Sequence, residues 1–166
     1  MNVEIIDQLI AQDPSLESSR SALESMNVGA SCIHKSWGLG KITGFEAERG
    51  MLLIDFEEGE RKSHAMDPVF CLSKIEILSN DHIISRHRSN PDEIDTIAKK
   101  EPVNIIIDIL SKYPDGCASS RDIERTIGYL FGSAKGKKWW TATKKLLVKD
   151  PRVAVPSKKT EPYVLR

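Results

Sequence analysis

Along the first 28 residues the apolar positions recur at helical spacing: Val3, Ile5, Ile6, Leu9 and Ile10 fall within three turns. A second short run follows Asp13-Pro14, where Asp caps and Pro occupies the first turn. The spacing predicts a helical pair or arm over residues 1–28. From Gly29 to Leu78 the period drops to two. The run ASCIHK passes through a WGLG turn into KITGF, and in MLLIDF the residues Leu52, Ile54 and Phe56 alternate with Met51, Leu53 and Asp55. A short strand around Lys62 to Met66, a link led by Pro68, and the alternating KIEIL complete the segment.

Four or five short strands separated by Gly turns within residues 29–78 predict a small antiparallel barrel of the SH3 or Tudor type. A polar bridge, SNDHIISRHRS, then leads to helix-type spacing again. Asn90-Pro91-Asp92-Glu93 reads as a helix start, with Asn as cap and Pro at the first position. A second helix follows Pro102 with Ile105, Ile106, Ile109 and Leu110 as its buried stripe. Ser119 or Ser120 caps a third, which carries Ile123, Ile127 and Leu130, and a fourth runs from about Ala134 to Lys149. The runs RVAV and YVLR around PSKKTEP read as a hairpin. Helices, a basic helix and a terminal hairpin give residues 79–166 the order of a winged helix-turn-helix. The expected class is therefore α+β: a helical arm, a small SH3/Tudor-like antiparallel barrel, and a helical winged-helix domain.

Length and composition narrow the function classes. A chain of 166 residues holds one ordinary domain or two small ones, too little for a TIM barrel or a large nucleotide-binding enzyme. There is no apolar run approaching the roughly 18 residues of a membrane span, and the acidic start MNVEIIDQLIAQD is unlike a signal peptide. Cys32, Cys71 and Cys117 are odd in number and widely spaced, which favours a reducing compartment and a cytoplasmic location. The overall charge is zero, but its distribution is uneven: residues 1–28 carry one basic and five acidic side chains, while residues 135–166 carry ten basic and two acidic. A cationic end of this kind expects nucleic acid or an acidic protein surface as partner.

The densest chemistry lies in KKWWTATKKLLVK, residues 137–149. At 100° per residue, Trp139, Trp140, Thr143, Leu146 and Leu147 share one arc, and Lys137, Lys138, Lys144, Lys145 and Lys149 take the other side. With Lys135, Arg152 and a hairpin tip bearing Lys158 and Lys159, this face is the candidate site for phosphates or an acidic partner. The tryptophans read as core anchors of that helix. A second candidate is HKSWGLGKI, where Gly38 and Gly40 bracket Leu39 and Trp37 stands at a strand end as an interaction hot spot.

Other motifs fail on spacing. GSAKGK, residues 132–137, is one residue short of a phosphate loop and has Lys138 where a Ser or Thr would hold magnesium. The acidic run Asp55, Glu57, Glu58, Glu60 lacks the ligand spacing of a calcium loop. Cys32, His34, His64 and Cys71 have no zinc-ribbon spacing, and no Cys or Ser sits by an oriented base. The expectation is no metal, no cofactor and no catalytic residue.

The segments HKSWGLGKITGF, MLLIDFE, HAM and LSKIEIL, with KKWW, KKLLVKDPRVAV and EPYVLR further on, resemble the region that precedes the Gre domain in some bacterial Gre-type transcript-cleavage factors. The likeness covers residues 29–166, and the barrel segment is more loosely similar to the polymerase-interacting modules of CarD-type regulators and of the transcription-repair coupling factor. The resemblance implies attachment to bacterial RNA polymerase, with Trp37, Gly38, Leu39, Gly40 and Lys41 on the corresponding surface, and strand addition along an edge from Trp37 to Phe45. It also implies a transcription elongation role, with DNA or RNA as a further partner of the lysine face. The coiled coil that carries Gre cleavage activity has no counterpart in these residues, so the resemblance implies either the leading piece of a longer factor or a free-standing relative without cleavage activity. A plain DNA-binding winged helix and a purely structural adaptor are the alternatives.

Overall fold

A computed structural model describes residues 1–166, which divide into two compact units, Met1–Asn80 and Asp81–Arg166.

In the first unit, helix α1 (Val3–Gln12) begins at Asn2, whose side chain accepts from the Glu4 N–H, and a 3-10 turn over Pro14–Ser19 leads into α2 (Arg20–Glu24). These helices do not stand off as an arm. Ile6, Leu23 and Met26 are buried in one core with Cys32, Ile42, Leu52, Ile54 and Phe56 of the strands. The strands are β1 (Ser31–His34), β2 (Gly38–Glu46), β3 (Met51–Phe56), β4 (His64–Met66) and β5 (Ile75–Ile77). They form one antiparallel sheet in the order β4-β3-β2-β1-β5. The even positions of β3 point inward, as the period-two pattern requires: Leu52, Ile54 and Phe56 are buried.

The sheet is open, which corrects the expected closed barrel. Its two edges, β4 and β5, are three residues each and do not pair with one another. Between them the chain folds as helix α3 (Pro68–Lys74), capped by Asp67 accepting from the Val69 and Phe70 N–H groups, where a plain link was expected. Cys71 of that helix is buried in the core, so helices close the sheet's inner face where a barrel would use strands. Strand β2 is central, bonded to β1 from Gly38 to Lys41 and to β3 from Gly40 to Glu46. The expected free edge over Trp37–Phe45 is therefore occupied by neighbouring strands along most of its length.

The second unit contains α4 (Ile83–Ser89), α5 (Pro91–Lys100), α6 (Pro102–Ser111), α7 (Ser120–Phe131) and α8 (Ser133–Leu147), with β6 (Cys117–Ala118), β7 (Val153–Ala154) and β8 (Tyr163–Leu165). Helix α4 replaces the polar bridge of the sequence reading: the His82 ring nitrogen accepts from the Ile84 N–H, and Ile83 and Ile84 are fully buried. The hairpin of β7 and β8 forms in register, Val153 opposite Leu165, and gains a third strand, β6, on its other side. From α6 the order helix, strand, helix, helix, strand, strand is that of a winged helix-turn-helix, with α8 in the place of the recognition helix. Gly132 alone separates α7 from α8.

Candidate functional site

In the first unit the turn Lys35–Trp37 links β1 to β2, and Gly38 opens β2 with φ of 78°. The His34 ring organises this turn: its Nδ1 accepts from the Ser36 and Trp37 N–H groups at 2.9 and 3.1 Å. Its face stacks on Trp37 with centroids 4.2 Å apart, and Phe56 and His64 meet Trp37 edge-on at 5.5 and 4.8 Å. The Arg61 guanidinium lies 4.5 Å over the same indole. Leu39 and Gly40 are buried: a Cβ at Gly40 would stand 2.8 Å from the Phe56 ring. Of the five residues singled out here, Lys41 is exposed and Trp37 and Gly38 are half-buried, while Leu39 and Gly40 support them from within.

Burial first, and then the nearby charges of Lys74, His64 and Arg61, lower the His34 pKa. A depressed folded-state pKa means that the unfolded chain takes up the proton more readily, so stability is full above the ordinary histidine range and declines as pH falls through it. Protonation would also place a new N–H against two backbone donors. The thermal midpoint of the first unit should therefore drop on going from about pH 7.5 to about pH 5. His34→Asn, whose carboxamide oxygen can accept from the same turn, should flatten that drop. Thermal melts of both proteins at the two pH values provide the check. Cys32 and Cys71, considered above beside this histidine, are core residues whose thiols burial pushes up to about 12 and about 11.

In the second unit α8 is fixed along one face. Trp140, 3% exposed, donates its indole N–H to Glu124 Oε1 at 3.1 Å and packs on Tyr163 of β8, and Thr143 and Leu147 complete the buried arc. Gly136 faces Ile127 so closely that a Cβ there would lie 3.2 Å from it, which lets α7 and α8 approach. Trp139 is half-buried and donates to the Ala98 carbonyl at 3.0 Å. Leu146, expected on the buried arc, is 47% exposed instead, because the buried stripe is narrower, Gly136, Trp140, Thr143 and Leu147, with Trp139 half-buried beside it.

Lysine dominates the rest of the exposed circumference. Lys135, Lys137, Lys138, Lys144, Lys145 and Lys149 are exposed, as are Lys158 and Lys159 in the loop between β7 and β8. None of these eight forms an ion pair, although Lys144 reaches 5.6 Å over the Trp140 ring. Several cations elsewhere in the unit are matched: Arg86 holds Asp108 and Glu93, Lys112 holds Asp81, and Arg125 holds Asp122. Arg152 belongs with that matched set, since it pairs with Asp150 at 2.8 Å and donates to Asn104, and it holds the Asp150 carboxyl down to about 2. Helix α8 has no acidic residue in its first turn and places Lys135 there, against the helix dipole. A cationic face assembled at local electrostatic cost, with nothing in the protein to neutralise it, has the chemistry to bind polyanions.

A family model described as the GRAD helix-turn-helix domain matches residues 84–166. The chain is similar to transcription elongation factor GreA of Chlamydia pneumoniae, 27% identical over 145 residues, covering 86% of this chain and 20% of that protein. The GreA of Chlamydia trachomatis serovar D is 27% identical over 129 residues, covering 77% of this chain and 18% of that one. The chain thus spans about a fifth of the length of these relatives. No solved structure matches it.

Proposed function

Because this chain belongs to the GRAD helix-turn-helix family, we propose that it is a non-catalytic module of the bacterial transcription elongation machinery, attaching to RNA polymerase and engaging nucleic acid through the lysine face of α8. The observation that carries this reading is the set of eight exposed lysines without ion pairs: five on α8, the helix that a helix-turn-helix offers to DNA, one just past its end and two in the loop between β7 and β8. The likeness to elongation factor GreA supports the elongation context. The polymerase contact falls to the first unit, where Trp37 stands in the β1–β2 turn with Arg61 over it, and Lys41 is exposed further along β2. If attachment proceeds by strand addition, the free edges that offer it are β4 and β5.

The test is a pull-down on purified bacterial RNA polymerase together with a salt titration of duplex binding. Retention on polymerase and a log–log salt slope of several units are expected, since each neutralised phosphate contributes about −0.9. Failure to be retained, with no salt-dependent nucleic-acid binding, would sink the reading. A second reading, in which α8 rests on an acidic protein surface, is favoured by Leu146 and by Val148, which is 71% exposed beside Lys149. Competition by polyglutamate without competition by DNA would select it.

A further inference from the structure

Beside the lysine face, α4, α5, α7 and α8 line an open cavity of about 520 Å³. That volume lies within the range of about 300–1,000 Å³ typical of small-ligand sites. Phe131 and Trp139 supply two aromatic rings with centroids 5.2 Å apart and planes tilted by 48°. Because the Trp139 indole N–H is anchored to the Ala98 carbonyl, the ring is held in place while part of it remains open to the cavity. Lys99 and Lys135 line the same space, both exposed, and neither forms an ion pair.

The polar side of the cavity is also organised. His87 Nδ1 lies 2.9 Å from an Arg88 nitrogen, and arginine only donates, so Nδ1 accepts. The proton then sits on Nε2, which donates to Asp95 Oδ1 at 3.1 Å. Arg88 is fastened in turn to the Tyr129 carbonyl at 2.9 Å. Asp95 is thereby held through Oδ1, and it lines the cavity together with the aromatic pair.

A flat apolar wall, two ammonium groups and one oriented carboxylate complement a ring that carries N–H donors next to an anion. We infer that this cavity receives a nucleotide: the base against Phe131 and Trp139, a base N–H, such as the ring N3–H of thymine or uracil, toward Asp95, and the phosphate between Lys99 and Lys135. Lys135 belongs both to the cavity and to the exposed stripe of α8, so a strand following the lysines arrives at the cavity. A base still paired in a duplex presents no free face to such a pocket, so the expected polymer is single-stranded. This inference rests on the nucleic-acid reading given above.

The experiment uses the whole chain carrying Trp37→Phe, so that changes in emission report the half-open Trp139, Trp140 being enclosed. Single-stranded oligo(dT) should quench emission to saturation more strongly than the matching duplex. Phe131→Ala should weaken strand binding on the order of tenfold, the loss of one stacking partner. Lys99→Gln, an exposed change that leaves packing alone, should lower the salt slope by about 0.7. Quenching by free uridine monophosphate would support the pocket with a soluble nucleotide as its source, and quenching by the strand alone would support it with a polymer as its source. If strand and duplex bind equally, and Phe131→Ala and Lys99→Gln both leave affinity unchanged, the pocket is overturned while the lysine face stands. Equal quenching by polyglutamate would also overturn it. If no nucleic acid binds, the reading beneath it falls as well.

Discussion

Reversing Lys138, Lys145 and Lys149 to glutamate together is expected to reduce duplex binding by about two to three orders of magnitude near 0.1 M salt. Each lost phosphate contact removes about 0.9 of a decade there through counterion release, and the new carboxylates add repulsion. Folding should be unaffected, because all three lysines are exposed and none holds a partner in the protein. The measurement is anisotropy of a labelled duplex, with circular dichroism to confirm that the fold is retained. Unchanged affinity would remove the basic face from the proposed function. Arg152→Gln is the matched control: that guanidinium is already held by Asp150 and Asn104, so it should alter binding little.

The largest effect on stability is expected from Phe56→Ala, at about 3–5 kcal/mol. Phe56 is fully buried, and it is the shared edge-on partner of His34, Trp37 and His64. Truncation would open a cavity beneath the turn and loosen the indole that faces solvent there. Gly40 provides an internal check. Gly40→Ala alone should cost about 1–3 kcal/mol by pressing on the Phe56 ring. In the Phe56→Ala background the same methyl enters vacated space, so the two losses should be clearly less than additive. Chemical denaturation of the four proteins measures the coupling, and strict additivity would contradict the packing described.

Most of the second unit was legible because its signals are local. Pro91, Pro102 and Ser119 mark helix starts within a turn of where they occur, and the β7–β8 hairpin follows from two alternating runs around a turn. Helix α4 was hidden because its apolar content is confined to Ile83 and Ile84 at one end. Strand β6, two residues long, is too short for a period to register. The openness of the sheet was out of reach for another reason: whether β4 and β5 meet depends on pairing between distant segments, and α3 lies between them in a run, PVFCLSK, with no clear period.

The site divides in the same way. Lysine positions on a helix follow from spacing, so the exposed face was readable. How wide the buried stripe is depends on the neighbours, which is why Leu146 was misplaced and why Arg152 was counted among free cations when Asp150 and Asn104 hold it. The cavity beside Trp139 was not readable at all, since the indole's anchor, Ala98, lies 41 residues away in sequence.

The two short borders of the first unit's sheet bear on how the protein behaves at high concentration. Long, flat, uncovered strand borders recruit further chains and seed fibres, and natural sheets avoid this by trimming or charging them. With three residues in each border and Glu76 at the middle of one, there is room to grip a single short guest segment but too little template for runaway self-stacking.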